Sequence, residues 1–311
     1  MTQDVLTLAV VSYEPTWGDT EKNLNRMIGF AECAAKRGAD LVLLPETALT
    51  GYDLDPDKTG SEQMHHRLAE PVPGTSSLAM ADVAKKRGIY VAFGLAERAE
   101  DGTVYNSAAV VGPDGSVIGA YRKMHLPATE PMWAARGSEP FMFDTPWGKI
   151  GLAICYDTFV FNEIMRYYRA NGCRLHLNPC AVDSSVTARN IKDAIEYQAA
   201  NNAIYIASAN CTGLHRVNDF VGGANVVGPG KNVPEVHYYA GRPFGEDGND
   251  EQEMYLGTID LSYTSNPFLA KLWDEKEPDF RPDVYMSMYE RLLDLPQYGE
   301  KAERIKGVKD I

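Results

Sequence analysis

The sequence predicts an α/β protein, and three observations carry that reading. Apolar runs of strand length alternate with amphipathic runs of helix length over residues 6–97, the rhythm of strand–helix–strand units rather than of a bundle or an all-β sandwich. Hairpin signals then extend the sheet in the middle of the chain. No internal repeat, heptad or low-complexity tract interrupts the pattern.

LTLAVVSY (6–13) reads as the first strand, and NLNRMIGFAECAAKRG (23–38) as a helix with a glycine stop. ADLVLLPE (39–46) is the next strand. A helix from Leu78 to Gly88 leads into the strand IYVAFGLAE (89–97). VYNSAAVVGPDGSVIGAYRK then places two strands around the turn Gly112-Pro113-Asp114-Gly115, and FMFDTPWGKIGLAIC repeats the device around Pro146-Trp147-Gly148. Helix and strand return with Asn162–Asn171, RLHLNP (174–179), Ala188–Asn202 and IYIASANC (204–211). GGANVVGPGKNV (222–233) and EMYLGTIDL (253–261) form a third hairpin-like stretch, with Gly241–Gln252 between them as a solvated loop.

The 311 residues suffice for one large α/β domain or two smaller ones. The expected organisation is a main domain over 1–270 and a C-terminal tail over 271–311, rich in proline, charge and aromatics, that packs on a partner subunit. A net charge of -13 repels phosphate backbones and anionic lipid, which argues against nucleic-acid and membrane partners. No apolar run approaches the roughly 20 residues of a membrane span, and MTQDVLTLAVV lacks the basic flank of a signal peptide. Cys33, Cys155, Cys173, Cys180 and Cys211 are odd in number and scattered, which suggests free thiols in a reducing, cytoplasmic compartment.

Three reactive residues share one placement. Glu46 closes LVLLPE, Lys123 closes VIGAYRK and Cys155 closes KIGLAIC, and open α/β sheets bind ligands beyond the carboxyl ends of their strands. Singly, each has a bland reading: a solvated loop acid, a surface cation and a packed core thiol. As a set they make a machine. A carboxylate can take a thiol's proton, and an ammonium can hold the negative charge that builds on a carbonyl. Such a machine calls for no metal and no organic cofactor.

LLPETALTGYD (43–53), YRKMHLP (121–127) and AICYD (153–157), in this order, resemble the three signature blocks of the carbon–nitrogen hydrolase (nitrilase) superfamily. AEPVPG (69–74), AIEYQAANNAIYIASANCTG (194–213) and GGANVVGPGKNV resemble further blocks, so the likeness covers about residues 6–262. The resemblance implies a four-layer αββα sandwich and a homo-oligomer. It also implies a Glu-Lys-Cys triad in which Glu46 is the general base, Lys123 the oxyanion-stabilising cation and Cys155 the nucleophile. The N–H of Tyr156 would complete the oxyanion site. The family's second glutamate falls on Glu130 in HLPATEPMW, with Glu139 in GSEPF as the alternative. The expected reaction is thiol attack on a small amide, a thioester on Cys155, and its hydrolysis to a carboxylate with release of ammonia or an amine.

The segment after the cysteine departs from the family's C-Y-D-x-R-F-P-E. Here it runs Cys155-Tyr156-Asp157-Thr158-Phe159-Val160-Phe161-Asn162-Glu163, with the glutamate one residue late and no arginine or proline. Ala224-Asn225 stands where a serine is common. These changes bear on substrate rather than reaction class. Phe159 is a candidate substrate contact for an apolar or aromatic acyl group, against the alternative that it is simply packed. Nitrile-cleaving members carry C-W-E, so Asp157 favours amides, with N-carbamoyl amines next and nitriles behind them. An N-carbamoyl amino acid would need a cation, for which Arg136 and Arg189 are candidates. A non-catalytic binding protein of the same fold is the reading from a different class.

Overall fold

The structure, a computed structural model, describes residues 3–185, 188–231, 235–244, 251–264, 279–295 and 298. Strand β1 (Val5–Ser12) sets the layers by period-two alternation. Its Leu6, Leu8 and Val10 enter one hydrophobic core, whereas Ala9 and Val11 enter another.

The chain then runs α1 (Thr20–Lys36), β2 (Leu41–Leu43), α2 (Met64–Leu68), α3 (Thr75–Arg87) and β3 (Tyr90–Arg98). Two hairpins follow, β4 (Val104–Val111) with β5 (Val117–Arg122), and β6 (Phe141–Thr145) with β7 (Gly148–Leu152). Next come α4 (Tyr156–Val160), α5 (Asn162–Ala170), β8 (Leu175–Cys180), α6 (Ala188–Asn202) and β9 (Tyr205–Asn210). A small hairpin, β10 (Thr212–Leu214) and β11 (Asp219–Val221), precedes β12 (Ala224–Pro229), β13 (Val236–Gly241) and β14 (Glu253–Asp260).

These strands form two six-stranded sheets, in the orders β14-β1-β2-β3-β4-β5 and β13-β12-β9-β8-β7-β6. The inner faces share a core of Leu6, Leu8, Val10, Leu41 and Leu43 from the first sheet with Leu152, Leu175, Leu177 and Ile206 from the second. Outside the first sheet, Met27, Ala31 and Ala34 of α1 and Met80 and Ala84 of α3 cover Val42, Val91 and Phe93. Ile164 and Met165 of α5 and Ile195 and Ala199 of α6 join the core on the second sheet's side. The result is the αββα sandwich.

Three strand assignments are corrected. EMYLGTIDL does not pair with GGANVVGPGKNV. Both edges of β12 are taken by β9 and β13, and β14 crosses to the other sheet to lie antiparallel to β1, from Val5↔Asp260 to Ser12↔Glu253. The strands through Glu46 and Cys155 also stop early, at Leu43 and Leu152. Of the expected loop Gly241–Gln252, residues 245–250 lie outside the described residues.

The chain divides into two compact units, Met1–Thr264 and Ser265–Ile311. In the second, residues 265–278, 296, 297 and 299–311 lie outside the described residues. Its described part is helix α7 (Pro282–Leu292), on which Met286 and Met288 are exposed. Among the described residues, no helix is long and apolar enough to cross a membrane, and no cluster of three metal-ligating side chains occurs.

Two buried histidines give the fold a pH dependence. His65 stacks on Trp133 with ring centroids 4.0 Å apart, and its Nε2 faces the Gly51 carbonyl at 3.1 Å. Burial holds its pKa down to about 4. His176 of β8, its Nε2 2.9 Å from Thr158 Oγ1, is held by burial at about 3. Below about pH 6.5 the unfolded chain accepts protons that the native rings refuse, so stability falls as pH drops toward 4. The expected loss is about 1.4 kcal/mol per pH unit for each histidine, read as urea midpoints at about pH 7 and about pH 5. A loss of undiminished size in the His65→Gln, His176→Gln double variant would assign it to other groups.

Candidate active site

Between the two sheets, one ammonium is buried between two carboxylates. Lys123 Nζ donates to Glu46 Oε1 at 2.7 Å and to Glu130 Oε1 at 2.5 Å, and all three side chains have 0% exposure. Asn106 Nδ2 donates to Glu46 Oε1 at 2.7 Å and to Glu130 Oε2 at 3.2 Å, and the Tyr52 hydroxyl donates to Glu130 Oε1 at 2.6 Å. Burial alone would pull the Lys123 pKa down, but the Glu130 and Glu46 carboxylates outweigh it and hold the ammonium well above its ordinary value. Burial raises the Glu130 carboxyl above the usual range; Lys123 opposes that shift and the Glu46 carboxylate adds to it. Burial, then the same two carboxylates, keeps the Tyr52 phenol protonated as a donor.

Each group is carried past a strand end. Lys123 directly follows β5, and its N–H is fixed by the Asn106 carbonyl of β4 at 2.8 Å. Beyond β2, the Glu46 N–H donates to the Cys180 carbonyl at the end of β8 (3.3 Å), and the Cys211 thiol donates to the Glu46 carbonyl (3.4 Å). The Glu46 segment therefore spans both sheets. It lies against β3 only because residue 94 is glycine: a Cβ there would sit 2.3 Å from Thr47 N and 2.6 Å from Pro45 O.

Cys155 precedes α4 with φ 51° and ψ -106°, and Thr47, next to Glu46, has φ 46°. Such conformations cost on the order of 1–3 kcal/mol each in a non-glycine residue and cluster at functional sites. The turn is held by Asn178 of β8, whose Oδ1 accepts from the Cys155 N–H at 3.1 Å and whose Nδ2 donates to Ser208 Oγ at 3.0 Å. Cys155 is 9% exposed, whereas Cys173, Cys180 and Cys211 are at 0%. Its sulfur is near enough to Lys123 for a negative charge there to be felt by the ammonium.

Asp157 locks the lysine segment to the cysteine segment. Its buried Oδ2 accepts from the Tyr121 hydroxyl (2.6 Å) and the Met124 N–H (3.0 Å), and its Oδ1 faces the His125 N–H (3.0 Å) and His125 Nδ1 (2.7 Å). Residues on both sides of Lys123 are thus tied to the turn that presents Cys155. The His125 ring stacks on Phe161 at 3.5 Å, and Phe161 meets Tyr156 edge-on at 5.5 Å.

The structure brings Glu46, Lys123, Glu130 and the Cys155 turn together, while Glu139 is exposed. Tyr156 is half-buried at the start of α4. Phe159 is built into the main hydrophobic core, the packed alternative for that residue. Arg136 is exposed, and Arg189, 85% exposed, faces Asp193 at 3.7 Å. Glu163 is exposed in the first turn of α5, and Asn225 is buried, its Nδ2 donating to the Arg242 carbonyl at 3.1 Å. The sequence reading missed Tyr52, Gly94, Asn106, Asn178 and the clamping role of Asp157. Gly94 and Asn106 each left a signal: a glycine inside a strand marks a close backbone approach, and an amide inside an apolar strand asks for a buried partner.

Residues 7–262 match the family model described as carbon–nitrogen hydrolase. A nitrilase of Pyrococcus abyssi is 32% identical over 272 residues, 87% of this chain and 95% of that protein. The omega-amidase NIT2 of Homo sapiens is 32% identical over 197 residues, 60% of this chain and 68% of that protein. In fold, the chain is similar to an amidase from Nesterenkonia sp., with a TM-score of 0.73 over 93% of this chain and 98% of that one at 20% identity.

Two substitutions test the site as a physical unit. Lys123→Met leaves two carboxylates buried against each other and is expected to cost about 3–5 kcal/mol in urea unfolding. A loss below about 1 kcal/mol would mean that the carboxylates take up a shared proton or water without strain. Gly94→Ala drives a methyl into the Glu46 segment and is expected to cost about 1–3 kcal/mol and to slow alkylation of Cys155 by iodoacetamide. An unchanged alkylation rate would uncouple β3 from the site.

Proposed function

The chain belongs to the carbon–nitrogen hydrolase family, and from that premise we propose that it hydrolyses a small linear amide through a thioester on Cys155. One observation carries the reading: the two oxygens of Glu46 are divided. Oε1 is taken by Lys123 and Asn106, whereas Oε2 is buried and has no hydrogen-bond partner among the described residues. A buried carboxylate oxygen without a donor suits a base that receives a proton during reaction.

The steps follow from that division. Glu46 Oε2 takes the thiol proton as Cys155 attacks the amide carbonyl. The oxyanion is met by the Lys123 ammonium and the Tyr156 N–H. Glu46 passes the proton to the nitrogen, ammonia or an amine leaves, and a thioester remains on Cys155. Glu46 then activates the water that releases the carboxylate. Glu130, whose carboxyl is tied to Lys123, Tyr52 and Asn106, holds the ammonium in place. Tyr156, which follows Cys155 and meets Phe161 edge-on, supports an apolar acyl group.

Amides stand ahead of N-carbamoyl amino acids because Arg136 and Arg189, the cations that a substrate carboxylate would need, both lie at the surface. The names omega-amidase and amidase among the relatives agree with this order. Five free thiols suit a reducing compartment, and the exposed apolar side chains of α7 suit contact with a second subunit.

Ammonia release from a panel of amides, N-carbamoyl amines and nitriles tests the reading, with carbon dioxide followed in parallel. Primary amides are expected to be the best substrates, Cys155→Ala to abolish release, and Glu46→Gln to lower kcat by at least ~10²-fold. Release that survives Cys155→Ala would end the thioester mechanism, and carbon dioxide from the best substrate would make the enzyme a carbamoylase.

A further inference from the structure

Three thiols meet around the Glu46 segment, and hydrolysis uses one of them. Strands β7 and β8 are parallel, with Leu152 opposite Leu177 and the Ala153 N–H donating to the Leu177 carbonyl at 3.2 Å. That ladder ends at Leu152, and Cys155 follows in a turn that is tied to Asn178 of β8, the strand whose last residue is Cys180. Both cysteines also hold Asn178: its Oδ1 accepts from the Cys155 N–H and its carbonyl from the Cys180 thiol, each at 3.1 Å. The Cys155 and Cys180 side chains are themselves within hydrogen-bonding reach.

We propose that Cys180 is a resolving thiol, and that hydrogen peroxide converts the site to a reversible Cys155–Cys180 disulfide. The inference rests on the reading of Cys155 as the reactive nucleophile. Exposure sets the order of events: a peroxide from solvent meets the partly exposed Cys155 before the fully buried Cys180 or Cys211. The Cys155 thiolate attacks one peroxide oxygen, the O–O bond breaks, and hydroxide leaves; sulfur is oxidised to the sulfenic acid and peroxide is reduced. Cys180 sulfur then attacks the Cys155 sulfur. The S–S bond forms, the S–O bond breaks, and the sulfenic oxygen leaves as water with the thiol proton of Cys180. Burial pushes the Cys180 thiol well above its ordinary pKa, so its proton must pass to the leaving oxygen as the S–S bond forms rather than before it.

The chemical consequence is protection. A sulfenic acid without a neighbouring thiol is open to irreversible oxidation, whereas the disulfide returns both thiols to an external dithiol by exchange. Cys211 is the competing partner: both thiols donate to a backbone carbonyl, Cys180 to Asn178 and Cys211 to Glu46, but it is the Cys180 side chain that lies within hydrogen-bonding reach of Cys155.

The test uses the full chain and reads mass rather than turnover. Iodoacetamide labelling of the reduced protein first shows whether Cys155 is reactive; no labelling would remove the nucleophile reading itself. Peroxide treatment, quenching and non-reducing peptide mapping follow. The expected product has lost about 2 Da, links the Cys155 and Cys180 peptides, removes two of the five thiols and regains both with dithiothreitol. In Cys180→Ser, which keeps a donor for the Asn178 carbonyl, Cys155 is expected to gain about 32 Da as sulfinic acid and not to recover. A reactive Cys155 that links to Cys211 instead, or goes to sulfinic acid in the parent protein, overturns the proposal.

Discussion

The two-sheet unit is arranged around a charge buried away from bulk solvent. Lys123 is fully buried, and an isolated ammonium in such a place would lose its proton. Two carboxylates prevent that, but two carboxylates around one ammonium leave a residual negative charge, which Asn106 and Tyr52 can only partly satisfy as donors. The cluster is stable only as a complete set. It is also uneven: Glu130 has donors on both oxygens, whereas Glu46 keeps one oxygen without a donor among the described residues. The proposed role of Glu46 as a base draws on that unevenness.

Keeping such a cluster assembled falls to parts that do no chemistry. Gly94 removes a side chain so that the Glu46 backbone can lie against β3. Asp157 collects donors from both sides of Lys123 and ties them to the cysteine turn. Asn178 fixes that turn to the neighbouring strand. These contacts are short-range and stiff, and they join the two sheets where the sheets' own ladders have ended. Backbone strain at Cys155 and Thr47 persists because the surrounding hydrogen bonds over-determine it.

Much of this was legible in the sequence. Strand-length apolar runs in β1, β3 and β4 announced themselves by composition, and Glu46, Lys123 and Cys155 stood out because each follows such a run. The short β2 was less readable: Leu44 and Pro45 continue an apolar run and still bond to β3, and the next residue, Glu46, bonds across to β8. The partner of β14 was also hidden. Alternation tells a strand which faces to bury, not which strand lies beside it, and proximity in sequence favoured the wrong neighbour. Asn106 and Asp157 were visible as polar residues in apolar surroundings, yet their partners are set by tertiary structure alone. Phe159 shows the limit of position as a guide: its place after Cys155 suggested a contact, and its side chain lies in the main hydrophobic core, as Cys155 itself does.

The pairing of β1 with β14 has a consequence for how the protein comes into being. Val5 waits for Asp260, and the Asp4 carbonyl for the Leu261 N–H. During synthesis the first strand therefore carries one unfilled backbone edge until nearly the whole domain has emerged. Contacts of such sequence separation put the fold on the slow side of the relation between topology and folding rate. Over that interval an apolar strand with an open edge is a template for pairing with other chains, so assembly in the cell is a race in which the last strand to arrive covers the first.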